Sequence, residues 1–445
     1  MIYGLNLDIT RYILRKVRKE KKLRQIDLAD SKVSYGTISN IERGIGHVDE
    51  QTIYRYLSKL GLTKKMLKQL VSKELERIDN LTFFLESAEA LIDVNKYEEA
   101  EEMLKESPLD RFHPLAPYYT YLEGRILREK GNFKKAEQCY FLAIRLINQY
   151  NLRYRSNVSA TCYNALGVLS YKQNKLEDAI SYTDKGIAEV DGSKENGIMY
   201  TLISNKILYL LKSSQYEAAK QTLDEIWHHI SDIDNTSVLL NIYKSKATIL
   251  SKMRKYEEAV EVCKNGISIA MRNHIPVRYL DLIVVLGSIY LSQEQVKSAK
   301  QCFETVLRYD REVNYPRSHV DALSSLAVIS MREGNYDEAK KKVELAADIA
   351  RKFSQFYGLA KALVIGGNLS VAQSRFQEAS HFYSEAEQIA EKHGFKERQY
   401  EALLLLADCF DNMNLEEEWK HTAKKLLNLQ QNLHGEGGIY GIYRC

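Results

Sequence analysis

The run NKYEEA, Asn95 to Ala100, returns as GNFKKA ending at Ala136, NKLEDA at Ala179, SQYEAA at Ala219 and RKYEEA at Ala259. It returns again as EQVKSA at Ala299, GNYDEA at Ala339 and SRFQEA at Ala379. The steps between these alanines are 36, 43 and then five times 40 residues. Twelve residues before each alanine stands Ala88, Gly124, Gly167, Ile207, Ala247, Gly287, Ala327 or Gly367, small in every case but Ile207. Three residues before each alanine stands an aromatic or aliphatic residue, from Tyr97 to Phe376. Such a period predicts units of two antiparallel helices with a polar turn between them. Small residues at the paired positions let the helix backbones approach, where larger side chains would overpack the contact. One such hairpin cannot bury its apolar face alone, so the units must stack. A ninth copy contains Ala407 and LEEEW ending at Trp419; its turn is read as one residue out of step and its alanine is gone, as suits a cap.

These motifs resemble tetratricopeptide repeats over residues of about 80 to 430, with a unit longer than the usual ~34 residues. The expected fold class is therefore all-α: an N-terminal helix-turn-helix domain, argued below, followed by a right-handed tetratricopeptide-repeat α-solenoid of about nine helical hairpins. The expected boundaries are 1–62 for the N-terminal domain, 63–80 for a connector helix, 81–432 for the solenoid and 433–445 for a flexible tail.

Composition permits this reading. The chain has 445 residues, 45% of them hydrophobic and 27% charged, and only 5 prolines, as long helices require. No stretch approaches 18 uninterrupted apolar residues, so no membrane partner is expected. The N-terminus lacks the charged-then-apolar order of a signal peptide. Six cysteines without C-x-x-C spacing are expected to be reduced thiols of a cytoplasmic protein. The net charge of +4 is unevenly placed: residues 1–77 sum to +8 and the remainder to −4. A basic excess on a small terminal segment suggests a nucleic-acid partner there.

Residues 9–62 give that suggestion a pattern. A basic amphipathic helix is expected from Ile9 to Lys21, with Ile13, Leu14 and Val17 inward. A short helix follows from Gln25 to Ala29. Ser34 is an N-cap type, and Tyr35 to Arg43 forms a third helix stopped by Gly44. A fourth helix begins at Asp49 or Glu50 and runs through Leu60, with Ile53, Tyr56, Leu57 and Leu60 on one face. This arrangement resembles the helix-turn-helix domain of the phage-repressor and xenobiotic-response-element class. Arg18, Leu23, Gln25, Leu28, Ala29, Val33, Ser34, Ile38, Ile41, Glu42, Gly44, Ile53 and Leu60 carry the match, and the Ser34–Gly44 run is its most specific part. Lys32 departs from it by replacing a frequent turn glycine. Either Lys32 is left-handed or the turn differs.

The resemblance places the third helix in a DNA major groove. Tyr35, Gly36, Thr37 and Asn40 then face base edges, with Ser39 nearby. Asn can read adenine through two hydrogen bonds, and Thr can touch a thymine methyl. Gln25 matches a position that holds a backbone phosphate, and Lys32, Arg43 and Arg24 are further phosphate candidates. Ile38 and Ile41 read as core. Residues 63–80 continue as a helix with Met66, Leu70 and Leu75 apolar, either a rigid connector or a lever.

In a hairpin solenoid the first helix of each unit lines the inner surface. Its exposed stripe should fall six and three residues before the small position, then one and four after it. That stripe contains Asn164, Tyr171, Asn241, Lys244, Asp281, Asp321 and Asn368, with Ser204, Ser324, Lys361 and Val364 among its other members. Asn205 lies one position off it. The stripe mixes amides, hydroxyls, carboxylates and apolar residues: amides can grip the backbone of an extended peptide and apolar positions its side chains, and the same column could line a groove for a partner's helix. Asn164, Asn205 and Asn241 are the candidate backbone clamps, Lys244 a carboxylate site, and Asp281 and Asp321 sites for a basic group. No phosphate loop, H-E-x-x-H or G-x-S-x-G occurs, so no enzyme and no cofactor are expected. His228–His229, without spaced carboxylates or cysteines, reads as structural rather than as a metal site.

The joined architecture resembles the peptide-responsive regulators of low-GC Gram-positive bacteria named for their Rap, NprR, PlcR and PrgX members. That resemblance implies a quorum-sensing transcription regulator with a double-stranded DNA operator, a short re-imported signalling peptide as ligand, and a homodimer. Two other readings stand beside it: a scaffold that sequesters a response-regulator protein, and a phage or plasmid immunity repressor controlled by a protein antagonist.

Overall fold

Caps and turns set the first helices. The computed structural model describes residues 4–45, 48–152, 154–192 and 197–435. The Asn6 side chain accepts from the Ile9 N–H and starts α1 (Leu7–Glu20). A single 3-10 turn, Gln25–Leu28, stands where a short second helix was expected. Ser34 Oγ accepts from the Thr37 N–H at 3.1 Å to cap α2 (Tyr35–Arg43), and Gly44 ends it at φ +63°. Asp49 accepts from the Thr52 N–H to cap α3 (Glu50–Lys59). Lys32 is not left-handed. The turn differs instead, because the Asp30 carboxylate accepts from the N–H groups of Lys32 and Val33 at 2.8 and 2.7 Å. A side-chain acceptor there does what a glycine would otherwise allow.

The expected connector does not stop at residue 80. Thr63 caps α4, which runs unbroken from Lys64 to Asp93 and is itself the first helix of the first hairpin. Its buried face is Leu67, Val71, Ile78, Leu85 and Ala88; Met66 is exposed, and Leu70 and Leu75 are half-buried. The inward stripe is thus rotated from the one expected, and helix and repeat share one core with the N-terminal domain.

Among the described residues there is no strand, and nine hairpins follow. The first is α4 with α5 (Tyr97–Glu106). Next come α6 (Ala116–Glu129) with α7 (Phe133–Tyr150), α8 (Val158–Lys172) with α9 (Leu176–Ala188), and α10 (Gly197–Lys212) with α11 (Tyr216–Trp227). They are succeeded by α12 (Thr236–Lys252) with α13 (Tyr256–Arg272), α14 (Pro276–Ser292) with α15 (Val296–Tyr309), and α16 (Pro316–Arg332) with α17 (Tyr336–Lys352). The last are α18 (Phe356–Ala372) with α19 (Phe376–Lys392) and α20 (Lys396–Asn412) with α21 (Glu416–Gly435). The chain forms two compact units, residues 1–209 and 210–445. Residues 436–445, most of the expected tail, lie outside the described residues.

Every hairpin turn holds one residue in the left-handed region: Asn95, Gly131, Asn174, Ser214, Arg254, Glu294, Gly334, Ser374 and Asn414. The next residue's N–H then reaches back to close the first helix, as Gln215 does to the Leu210 carbonyl at 2.9 Å. From Ser214 onward these residues recur every 40 positions, ending with Asn414. The ninth turn is therefore in register, not one residue out. Glu416 replaces the usual aromatic, and Trp419, in place of the alanine, is 42% exposed as a cap residue can be.

All eight ladder alanines, from Ala100 to Ala379, are fully buried. The small position works less by backbone approach than by matching the side chain sixteen residues later. A Cβ on Gly124 would stand 2.6 Å from the Tyr140 ring, on Gly287 2.8 Å from Phe303, and on Gly367 2.3 Å from Tyr383. Where the position is alanine the later residue is smaller: Leu104 after Ala88, Cys263 after Ala247, Val343 after Ala327, all buried. At Gly167 a Cβ would meet the Ala179 carbonyl and Thr183 Oγ1, each at 3.2 Å, so there close backbone approach does hold.

Candidate nucleic-acid interface and candidate ligand groove

Glu42 is the residue on which the N-terminal domain turns. It lies fully buried on the inner side of α2. Arg18 meets it with two charge-assisted bonds, Nε to Oε1 at 2.6 Å and Nη2 to Oε2 at 2.9 Å. Tyr56 Oη donates to Oε1 at 2.6 Å and Gln25 Nε2 to Oε2 at 2.7 Å. Burial alone would raise the Glu42 carboxyl; the Arg18, Tyr56 and Gln25 hydrogen bonds outweigh it and hold the group below its ordinary value. The hydrogen bond to Glu42 likewise raises Arg18. Arg15 Nη2 donates to the Glu42 carbonyl at 2.8 Å and Arg11 Nη2 to that of Gly44 at 3.4 Å, so two guanidinium groups close the negative end of α2. Three other elements, α1, the 3-10 turn and α3, thus fix the rotation of this one short helix.

This network adds three arginines to the inward face expected of the basic helix α1. Arg11, Arg15 and Arg18 are all buried and occupied within the domain. Part of the +8 is therefore structural. Gln25, expected on a phosphate, gives its amide N–H to Glu42 and is half-exposed. The sequence run contained Arg18, Gln25 and Glu42, but only the structure joins them with Tyr56, which the helical pattern assigned to the apolar core.

With α2 so held, Ile38 and Ile41 are buried, as expected of core residues. Tyr35, Gly36, Asn40 and Arg43 are exposed, with Thr37 and Ser39 half-exposed beside them. The Thr37 hydroxyl lies 2.9 Å from Ser34 Oγ. Lys32 is exposed in the preceding turn. An open cleft of about 610 Å³ adjoins this row, lined by Arg15, Arg18, Lys19, Arg24, Gln25, Tyr35, Ser39 and Arg43, and also by Gln149 and Tyr150 of α7.

The stripe expected on the inner helices divides between the two units. In residues 1–209, Asn205 Nδ2 donates to Asn164 Oδ1 at 2.8 Å, so the residue judged off the stripe is joined to one on it. Tyr171 stacks on Tyr209 at 5.1 Å. In residues 210–445, Lys244 Nζ lies 3.0 Å from Asp281, which Arg278 also approaches at 3.5 Å. Lys361 lies 2.9 Å from Asp321. Burial pushes the Lys244 ammonium below its ordinary value, with Asp281 opposing. For Asp321, burial acts upward, yet Lys361 and Arg317 prevail and lower it. Asn368 Oδ1 accepts from Tyr383 Oη at 2.6 Å, and Asn241 is half-buried. The cation and anion sites expected to meet opposite ends of a ligand are thus paired with each other.

Three stripe members are not exposed: Ser204, Ser324 and Val364 are buried. In the second unit α14 packs on α16 and α16 on α18, beside Ser324 and Val364, whereas Lys244 and Val284 at the same position of earlier inner helices stay half-buried. The Ser324 hydroxyl has no partner there. The same unit is closed by contacts between residues far apart in sequence. Ser214 Oγ donates to Glu397 at 2.9 Å, and Lys212 Nζ lies 4.9 Å from the Tyr357 ring centroid. Among the described residues, no three His, Cys, Asp or Glu cluster as a metal site, and no helix is long and apolar enough to cross a membrane.

Two families match by sequence: helix-turn-helix over residues 14–67, and tetratricopeptide repeat over 85–151 and 284–353. No curated protein matches. Among solved structures, a Rap protein complexed with competence and sporulation factor is similar at a TM-score of 0.56 and 16% identity, covering 80% of this chain and 99% of that one. The quorum sensor NprR from B. thuringiensis, without ligand, is similar at 0.54 and 15%, covering 79% and 99%. NprR in complex with its cognate peptide NprX is similar at 0.55 and 16%, over the same shares. At these identities the likeness is one of fold. The chain carries a helix-turn-helix domain and tetratricopeptide repeats in the fold of the Rap and NprR structures, an architecture matching the peptide-responsive regulators that its sequence resembles.

Proposed function

We propose that this protein is a DNA-binding transcription regulator whose repeats bind a short signalling peptide, and that the peptide alters oligomer geometry and DNA binding. The observation that carries the first half is the outward row of α2, Tyr35, Gly36, Ser39, Asn40 and Arg43, backed by the Glu42 network. A helix that must present a few side chains to base edges needs its rotation fixed, and a buried charge with four donors does that. Asn40 is the candidate adenine reader, Thr37 and Tyr35 its flanking contacts, and Lys32, Gln25 and Arg43 the phosphate contacts. A homodimer would set two such helices on two half-sites.

For the second half, the ligand groove is the inner face of residues 210–445, with Asn241, Lys244, Asp281, Asp321 and Asn368 on it. A peptide of roughly five to ten residues, at about 3.3 Å per residue, crosses several inner helices there. Its termini or charged side chains compete for the Lys244–Asp281 and Asp321–Lys361 pairs. On the first unit Asn164 and Asn205 form a bonded amide pair, and Tyr171 stacks on Tyr209. The similar structures of a Rap protein with competence and sporulation factor and of NprR with NprX support a peptide as the ligand class. Mass spectrometry of material copurified with the full chain, followed by calorimetry of the identified peptide against Asn241→Ala, tests it. Loss of a buried clamp is expected to weaken binding by about 1–3 kcal/mol. Unchanged affinity in Asn241→Ala, Lys244→Ala and Asp321→Asn alike places the ligand elsewhere.

A second reading is favoured by one similar structure, an aspartyl phosphate phosphatase F from Bacillus subtilis, at a TM-score of 0.50 and 14% identity over 81% of this chain and 96% of that one. Here the repeats hold a response-regulator protein. A chain of that kind alone would show no salt-dependent affinity for duplex DNA.

A further inference from the structure

We propose that the end of α7, a repeat helix, is a second DNA-backbone contact, so that the duplex lies across the recognition helix and the second hairpin together. This rests on the DNA-binding reading above and extends it to a surface outside the helix-turn-helix domain.

The cleft beside the outward row of α2 is lined from both sides. Arg18, Lys19, Arg24 and Arg43 line it from the N-terminal domain, and Gln149 and Tyr150 of α7 from the other. Its one carboxylate, Glu42, is fully buried and already bonded by Arg18, Tyr56 and Gln25. Arg24 is itself paired with Asp27 at 2.8 Å, so Lys19 and Arg43 give the cleft its excess positive charge toward a polyanion lying on Tyr35 and Ser39.

The position of α7 against this row is fixed by aromatic contacts. The Arg15 guanidinium lies 4.6 Å from the Tyr150 ring centroid and 5.6 Å from that of Phe112. Lys19 Nζ lies 4.2 Å from the Phe112 centroid, and Tyr12 meets Phe112 at 5.7 Å and the buried His113 at 4.8 Å. Arg15 thus binds α2 through the Glu42 carbonyl and α7 through Tyr150. The recognition helix and α7 also touch directly.

Along α7, Arg145 and Gln149 are exposed and lie four residues apart, on one face and about 6 Å apart along the axis. Among the described residues Arg145 has no ion-pair partner. The helix end itself carries partial negative charge and does not attract phosphate. The contact must come from side chains: the Gln149 amide as donor and the Arg145 guanidinium as charge. Both suit phosphate oxygens and carry no base information.

The test uses the full chain and a mixed-sequence duplex, because backbone contacts do not depend on sequence. Binding is measured by fluorescence anisotropy over a series of salt concentrations. Arg145→Ala/Gln149→Ala is expected to weaken binding several-fold and to lower the slope of log affinity against log salt by about 1. Gln149→Glu is expected to weaken it further, and Lys134→Ala, at the far end of α7, to leave it unchanged. Melting temperatures equal to that of the parent chain establish that the variants are folded. If Arg43→Ala weakens binding while the α7 variants keep both affinity and slope, α7 is off the DNA and the proposal falls, with the DNA-binding reading intact. Tighter binding by the α7 variants also overturns it, since α7 would then restrain the head. If the parent chain has no salt-dependent affinity, both fall.

Discussion

The N-terminal domain and the repeats solve the same packing problem in opposite ways. In the domain, four short helical elements converge on one buried carboxylate, and Arg15, Arg18, Gln25 and Tyr56 are oriented by it or by the backbone beside it. In the repeats no single residue has that reach. Most hairpins match a small residue to the bulk of one side chain sixteen positions later, as Gly124, Gly287 and Gly367 do with Tyr140, Phe303 and Tyr383. Concentrated polar bonding fixes a surface in one orientation, as a reading helix needs. Distributed size matching tolerates variation unit by unit, as a stacked array needs.

If that contrast is right, the largest loss comes from the carboxylate. Glu42→Ala leaves Arg18 buried without its anion and is expected to cost about 3–5 kcal/mol, the penalty for a broken buried pair. Chemical denaturation followed in the N-terminal domain measures it. A loss under 1 kcal/mol would mean that apolar packing, not the network, orients α2.

Next comes a single methyl group. Gly367→Ala drives a Cβ into the Tyr383 ring and is expected to cost about 1–3 kcal/mol by overpacking. Gly367→Ala/Tyr383→Leu should recover part of that loss, because the pair, not the glycine, is the unit. Absence of any recovery in a double-mutant cycle would return the explanation to backbone approach. Ala259→Leu, at a buried ladder position, is expected to cost a similar amount, and Lys255→Gln in the neighbouring exposed turn almost nothing.

The third effect separates the regions by pH. The Glu42 carboxyl lies below its unfolded value of 4.5, so its contribution is fully present above that value. It is lost as pH falls from there through the lowered folded value. The N-terminal domain should therefore lose stability in this acid window, and Glu42→Gln should flatten the dependence. Thermal melts across the window check it; an unchanged profile in Glu42→Gln would assign the acid sensitivity to other groups.

The smallest effect is expected at the clasp of the second unit. Ser214→Ala removes an exposed bond to Glu397, and a loss below about 1 kcal/mol in the same melts is the expected outcome.

The sequence made the repeats legible because size matching recurs at a fixed period: the ladder alanines and the hairpin count could be read directly. The same period hid the reason for the small position, since Tyr140, Phe303 and Tyr383 lie in the second helices, sixteen residues away from their partners. It also concealed the ninth turn, where Asn414 keeps the register although Leu415 displaces the apolar signal by one. In the N-terminal domain the caps Ser34 and Asp49 and the stop at Gly44 are local and were legible. The Glu42 network was not, because its members are separated by 14 to 27 residues and belong to four elements. The exposed stripe failed at Ser324 and Val364 for a related reason. A helical wheel shows which residues share a face, but not that the next inner helix covers part of it.

The central claim is that the Glu42 network presents α2 to base edges. Selection of bound duplexes from a random pool at low salt, with the parent chain and Asn40→Ala in parallel, tests it most directly. The account predicts a two-fold-symmetric motif for the parent chain, and for Asn40→Ala relaxed preference at one base pair per half-site, worth about 1–3 kcal/mol. No enriched motif from the parent chain, or an identical motif from both, would contradict it.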